Sequence, residues 1–286
     1  MKRTVRILFM PALFALLIYL AVMEITCFAQ ATAHKPNEMS IWQARRTMTI
    51  KPKDENVATN WEYGPIRFSP DSFEFDVNSK KAPETVRIDL LTAPAVKVKC
   101  SSSDCKITDE SGRSNPRNIN PGLERFLGYL HWRDAGTNDQ HKWVATCWNA
   151  DCMHAIETFA AAFNRLRAFA QDSSSPLHTF PQRAAAWRML ATKPPIPEEV
   201  NVQRLMAEDA IKENKPGEAL NYYENGIELY PTWPEGNFNA ALIAAELKYY
   251  ADAIEHMQAY LELVPNATDA QAVHEKILIW QVKAKQ

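Results

Sequence analysis

GEALNYYENGIELYP (Gly217 to Pro231) and ADAIEHMQAYLELVP (Ala251 to Pro265) are one pattern written twice. Pro231 and Pro265 stand 34 residues apart, and so do Ala219 and Ala253, Ala207 and Ala241, and Tyr223 and Met257. Small residues at the four alanines let two antiparallel helices approach closely. Tyr223, Leu229, Leu242, Met257 and Leu261 recur at helical spacings and fill the space between them. Each proline follows a helix end, where it cannot extend the hydrogen-bond ladder. Self-similarity at this period predicts stacked helical hairpins, each burying the face its neighbour presents.

This register resembles the tetratricopeptide repeat, a helix–turn–helix unit of 34 residues, and the run from Tyr230 to Pro265 is also similar to repeat proteins of bacterial envelopes. Two departures stand out. The large aromatic of the first helix is displaced by one position, to Phe238. Gly226 keeps a small residue where the second unit has Tyr260, which must open a gap or cover the end of the stack. A third helix, Thr268 to Lys285, carries Val273, Ile277 and Trp280 on one face, with Thr268 and Gln271 spaced as a capping box. It reads as the terminal cap of the array. A helix from Pro181 to Ala191 reads as the cap at the other end. Residues 181–286 are thus expected to form one helical domain of six or seven helices.

In such repeats the first helix of each unit lines a groove. The resemblance therefore implies a partner-binding surface at Arg204, Glu208, Lys212, Glu235, Phe238, Asn239 and Leu242. Arg204, Lys212 and Asn239 would hold a peptide carboxylate or backbone, and Phe238 and Leu242 would supply apolar contact. These residues do not reproduce the Lys/Asn carboxylate clamp of chaperone-binding repeats.

Between Ile41 and Asn149 the apolar period changes from helical to alternating. Ile66 to Val77, Val86 to Leu91, Ala95 to Cys100, Phe126 to Trp132 and Lys142 to Trp148 read as short strands separated by polar, turn-forming intervals. About seven antiparallel strands are expected. Asp151 to Ala170 then reads as an amphipathic helix with Ile156, Phe159, Phe163 and Leu166 on one stripe. Strands closed by a helix resemble, in topology, a pleckstrin-homology-like barrel; another small α+β order is the alternative. The overall class is α+β: a β-rich domain at 38–170, a linker at 171–180, and the helical domain. Lys80-Lys81 is the one basic pair between predicted strands in that part, and it reads as a solvated loop rather than a phosphoinositide site.

The N-terminus has Lys2, Arg3 and Arg6 ahead of an uncharged run from Ile7 to Met23, then Ala29-Gln30-Ala31. This is the pattern of a cleaved secretory signal over 1–31, with an uncleaved anchor as the alternative. The segment carries three of the 32 basic and one of the 34 acidic residues. Residues 32–286 therefore hold 29 basic against 33 acidic side chains, a net charge of −4, which disfavours nucleic acid as a partner. The expected location is secreted, in a bacterial periplasm or envelope.

In an oxidising compartment the four cysteines beyond that segment are taken first as disulfides. Cys100 and Cys105 flank a four-residue hairpin tip, and Cys147 and Cys152 flank a strand-to-helix corner, so local bridges 100–105 and 147–152 are expected. Crossed pairing, a thiolate metal site and a redox centre are the alternatives. The chain has no Gly-rich phosphate loop, no GxSxG elbow and no HExxH pair, and its seven histidines are scattered. No catalytic residue, cofactor or metal site is expected. The sequence points to a non-enzymatic adaptor or scaffold that binds a protein or peptide, with a cysteine-centred metal or redox protein as the alternative.

Overall fold

A computed structural model divides the chain into Met1–Glu38 and Met39–Gln286. It describes residues 39–49, 61–63, 66–79, 83–100, 104–109, 136–137, 143–146 and 150–285, all in the second unit. The class is α+β. A helix the alternating pattern had hidden, α1 (Ile41–Thr49), comes first. Among the described residues eight strands come after it: β1 (Trp61–Tyr63), β2 (Arg67–Phe68), β3 (Ser72–Ser79), β4 (Pro83–Asp89), β5 (Val96–Cys100), β6 (Asp104–Asp109), β7 (Gly136–Thr137) and β8 (Trp143–Thr146). They form two antiparallel four-stranded sheets. In the first, β4 runs along one edge of β3, while β1 and β2 pair with β3 in registers that differ by one residue. The second has the order β5-β6-β8-β7. The expected strand at Phe126 to Trp132 lies outside the described residues.

Helix α2 (Ala150–Gln171) covers this region. Its stripe buries Phe159, Phe163 and Leu166, with the Phe163 ring edge-on to Phe73 of β3 at 6.5 Å. Polar side chains on the same helix fix it to the chain entering β5. Asn164 Oδ1 accepts from the Val96 amide at 2.8 Å and Asn164 Nδ2 donates to the Val96 carbonyl at 2.7 Å. Arg167 and Gln171 donate to carbonyls of Ala93 and Leu91. Two well-aligned bonds from one amide to one residue set the register of helix against strand as well as its distance.

Turns at 172–179 lead to six more helices: α3 (Phe180–Met189), α4 (Glu198–Lys212), α5 (Pro216–Leu229), α6 (Pro234–Glu246), α7 (Tyr250–Leu263) and α8 (Ala270–Lys283). The pairs α4–α5 and α6–α7 are helical hairpins, and their turns repeat residue for residue. Asn214 and Lys248, 34 positions apart, both take positive φ, 58° and 65°. The next amide in each, Lys215 and Tyr249, donates at 2.8 Å to the carbonyl five residues back, on Ala210 and Ala244. This is the Schellman closure of a helix end. Prolines open α5 and α6, where a missing N–H costs nothing.

Ala207, Ala219, Ala241 and Ala253 are fully buried, with Tyr223, Ile227 and Met257 packed around them. The last helix departs from expectation in two ways. Its cap is Asp269, without a side-chain cap bond, and Gln271 turns to Glu275, so the Thr268/Gln271 capping box does not form. Val273, Ile277 and Trp280 are buried as expected, but Leu278, Ile279 and Val282 face solvent.

Candidate functional site

Trp233, the residue before α6, is 2% exposed and forms the floor of a cleft of about 580 Å³. Two glycines make room for its ring. A Cβ on Gly236 would fall 2.1 Å from the indole, and one on Gly226 2.8 Å from it. Asn237 Nδ2 donates to the carbonyls of Pro231 and Trp233 and so holds the turn beneath the ring. In the second repeat unit the sizes are reversed: Tyr260 stands in place of Gly226, and Ala267 in place of Trp233. Tyr260 therefore fills space that its counterpart leaves open. Its ring meets Phe238 at 5.1 Å, and its hydroxyl donates to Asp269 Oδ1 at 3.0 Å.

The remaining wall comes from α3 and the segment after it, with Trp187, Pro194 and Ile196. Lys193 also lines the cleft, but its ammonium donates to the carbonyls of Trp187, Arg188 and Leu190 at 2.9, 3.1 and 2.7 Å. It lies 4.6 Å over the Trp187 ring. All three of its donors are used. Tyr230 lines the cleft too, and its buried hydroxyl has no hydrogen-bond partner among the described residues.

Three of the seven residues expected to bind a partner, Glu235, Phe238 and Asn239, come together in this cleft. Arg204 and Glu208 instead satisfy one another at 2.5 Å on α4, with Asn201 Oδ1 accepting from the other edge of the guanidinium. Lys212 is exposed in the last turn of α4, and Leu242 is 37% exposed on α6. Asn239 also donates through Nδ2 to the Tyr223 hydroxyl at 3.2 Å. Burial raises the pKa of this phenol, the Asn239 bond opposes the rise, and Glu208 reinforces it. Trp187, Trp233, Tyr260 and Asp269 were not expected in the site. Two sequence signals point to this end of the array: the exchange of Gly226 for Tyr260, and Asp269 standing 34 positions after Glu235.

A second polar cluster is filled by the chain itself. Helix α1 lies on α2 and is bonded to α5 and α7. Arg46 pairs with Glu224 at 2.5 Å and Asp252 at 2.6 Å, and its guanidinium sits 5.1 Å over Tyr249. Ser40 Oγ donates to Glu224 at 2.7 Å, and Arg165 of α2 pairs with Glu228. Burial alone would raise the Glu224 carboxyl; Arg46 first, and His256 after it, outweigh burial and hold the group below the usual carboxylate range. Burial keeps Asp252 and Glu228 above that range despite their arginines. His256 is buried against Trp42, its Nε2 3.8 Å from Glu224, and neither ring nitrogen has a hydrogen-bond partner among the described residues.

Models of known protein families and curated proteins give no match to this chain.

The cysteines are placed in part. Cys100 and Cys105 are opposite one another in the β5–β6 hairpin. Facing Cα atoms in an antiparallel pair stand about 4.5–5.5 Å apart, within reach of a disulfide. Cys152 is in the first turn of α2, and Cys147 lies outside the described residues. Among the described residues no group of three His, Cys, Asp or Glu is arranged to hold a metal ion.

Proposed function

We propose that this chain is a non-enzymatic adaptor or scaffold of the cell envelope, whose tetratricopeptide-type array binds a protein or peptide segment in the Trp233 cleft. The observation that carries the reading is the convergence of Glu235, Phe238 and Asn239 with four further aromatic residues in one opening of the array. Ligand sites of this kind are concave and mostly apolar, with a few placed polar groups. The doubled hairpin turn, 34 residues apart, supports the repeat assignment. Two four-stranded sheets followed by a covering helix support the pleckstrin-homology-like reading of the first part, whose role here is to carry the array. Secretion rests on the basic and apolar pattern of residues 1–31.

A photoreactive residue at Phe238, introduced in the full chain and activated in intact envelopes, tests the cleft. A discrete adduct that competes with untagged wild-type protein is expected. In an affinity pull-down without crosslinker, Phe238→Ala should lose the partner and Arg204→Glu should retain it. Unchanged partners in Phe238→Ala would overturn the cleft as the binding surface. The cysteine-centred alternative is separated by intact mass under non-reducing conditions. Four hydrogens lost without bound zinc removes it, and stoichiometric zinc with four alkylatable thiols would replace the adaptor reading.

A further inference from the structure

Selectivity in the cleft presupposes that it is a peptide site, and the array shows how it receives a ligand wherever this chain supplies one. At the α1 seam the occupant is an arginine, held between two carboxylates, Glu224 and Asp252, with the Tyr249 ring beneath it. The cleft presents the same three elements. Glu235 and Asp269 supply two carboxylates, and Phe238 and Tyr260 supply adjoining rings. Asp269 accepts from the Tyr260 hydroxyl at 3.0 Å and Glu235 lines the same cleft, and the hydroxyl is held above its ordinary pKa by burial first, then by Asp269 and Glu235.

The positive charge that would complete this set is not supplied by the cleft's own lysine. Lys193 is bound to three carbonyls at the C-terminal end of α3, where a cation complements the helix dipole. Glu235, in the first turn of α6, has no ion-pair partner among the described residues. An aromatic wall with an unpaired carboxylate favours a cation that can stack and donate charge-assisted bonds at once.

We propose that the cleft is a pocket for a basic side chain, taking an arginine or lysine from an extended segment of the partner between Glu235 and Asp269 and against Phe238 and Tyr260. Arginine suits it better, because the planar guanidinium stacks on a ring and forks to carboxylates. A polypeptide source is favoured over a small free cation. The volume, about 580 Å³, exceeds one side chain. Asn239 and the unpartnered Tyr230 hydroxyl are suited to a neighbouring backbone amide.

The test uses the full chain and two capped pentapeptides, Gly-Ser-Arg-Ser-Gly and the same sequence with citrulline, the neutral isostere of arginine. Titration by fluorescence anisotropy should show the arginine peptide binding about tenfold more tightly than the citrulline one. Glu235→Gln and Asp269→Asn should each weaken it by about five- to tenfold without moving the thermal midpoint, and added salt should weaken it further. Equal binding of the two peptides, or undiminished binding by both carboxylate variants, would overturn the basic-side-chain pocket and leave the peptide cleft standing. Binding of spermidine where the arginine peptide fails would overturn the polypeptide source. Failure of both peptides alongside a persistent adduct at position 238 counts against the cation alone. Failure of both with no adduct removes the peptide site itself.

Discussion

The α1 seam and the Trp233 cleft are built from the same kinds of residue and differ in what fills them. Each sets two carboxylates beside aromatic rings on the repeat helices. At the seam, Arg46 of the chain's own first described helix pairs with Glu224, whose side chain has no exposed surface, while Trp42 and Arg45 of the same helix bond to Glu255. At the cleft, Glu235 stays exposed and the rings border open space. A buried ion pair is a weak source of net stability, but a broken one is expensive, because the remaining charge is stranded. The seam is therefore committed to structure, while the cleft is free to trade its charge with another molecule.

The sharpest way to break this contrast is Arg46→Met. It strands Glu224 in the interior and should cost about 3–5 kcal/mol in chemical denaturation. Glu235→Gln should change stability by less than about 0.5 kcal/mol. Equal effects would dissolve the distinction. The pH dependence gives a second readout. In the wild type the Glu224 carboxyl sits below its unfolded value, so its contribution is present above the ordinary carboxylate range and is lost as pH falls through the lowered value. Without Arg46, burial raises the same group above its unfolded value. The variant should then gain stability as pH falls from neutral towards the ordinary carboxylate range, the opposite slope.

Gly236→Ala probes the cleft floor. The added methyl group overlaps the buried Trp233 ring, and relieving it requires the indole to move, at a cost of about 3 kcal/mol. Unlike Arg46→Met, this variant should also lose the adduct at position 238, because the displaced ring enters the cleft. A stability loss with normal partner capture would show that the floor does not shape the site.

The two regions also differ in how far the sequence reveals them. The repeat was legible because its signal is internal: identical offsets between alanines, prolines and turn residues need no knowledge of the rest of the chain. The Glu235, Phe238 and Asn239 wall followed from that register. Trp187 did not, because it reaches the cleft from a segment before the repeat; Asp269 stands 34 positions after Glu235, but it caps the terminal helix, which carries too little of the pattern to be read as a third unit. The seam was hidden for a different reason. IWQARRTMT (Ile41–Thr49) is short, its apolar positions are few, and its partners Glu224 and Asp252 lie about two hundred residues downstream. Glutamates within a helical repeat read naturally as solvated, and only the docked Arg46 shows that one is buried. The strands were visible by alternation, but β1 and β7, with three and two residues, fall below the length at which alternation can be recognised.

A second arginine of this chain set between two carboxylates marks the lower end of the scale. Arg67 on β2 bonds to Glu74 at 3.0 Å and to Asp76 at 2.8 Å across the first sheet, as Arg46 does at the seam, but all three side chains are well exposed. Its hydrogen bonds hold the Asp76 carboxyl down to about 2, with the Thr85 hydroxyl assisting. Exposed pairs of this kind contribute little, since water and salt screen them. Arg67→Met should move the denaturation midpoint far less than Arg46→Met does, while carboxyl NMR shows the Asp76 titration moving up towards its ordinary value near 3.8. The sign is that of a depressed carboxylate: what the pair contributes is present above that ordinary value and fades as pH falls towards about 2. A midpoint shift comparable to that of Arg46→Met would mean that burial is not what separates the seam from the surface. The open carboxylates of the cleft would then have to be weighed as structural too.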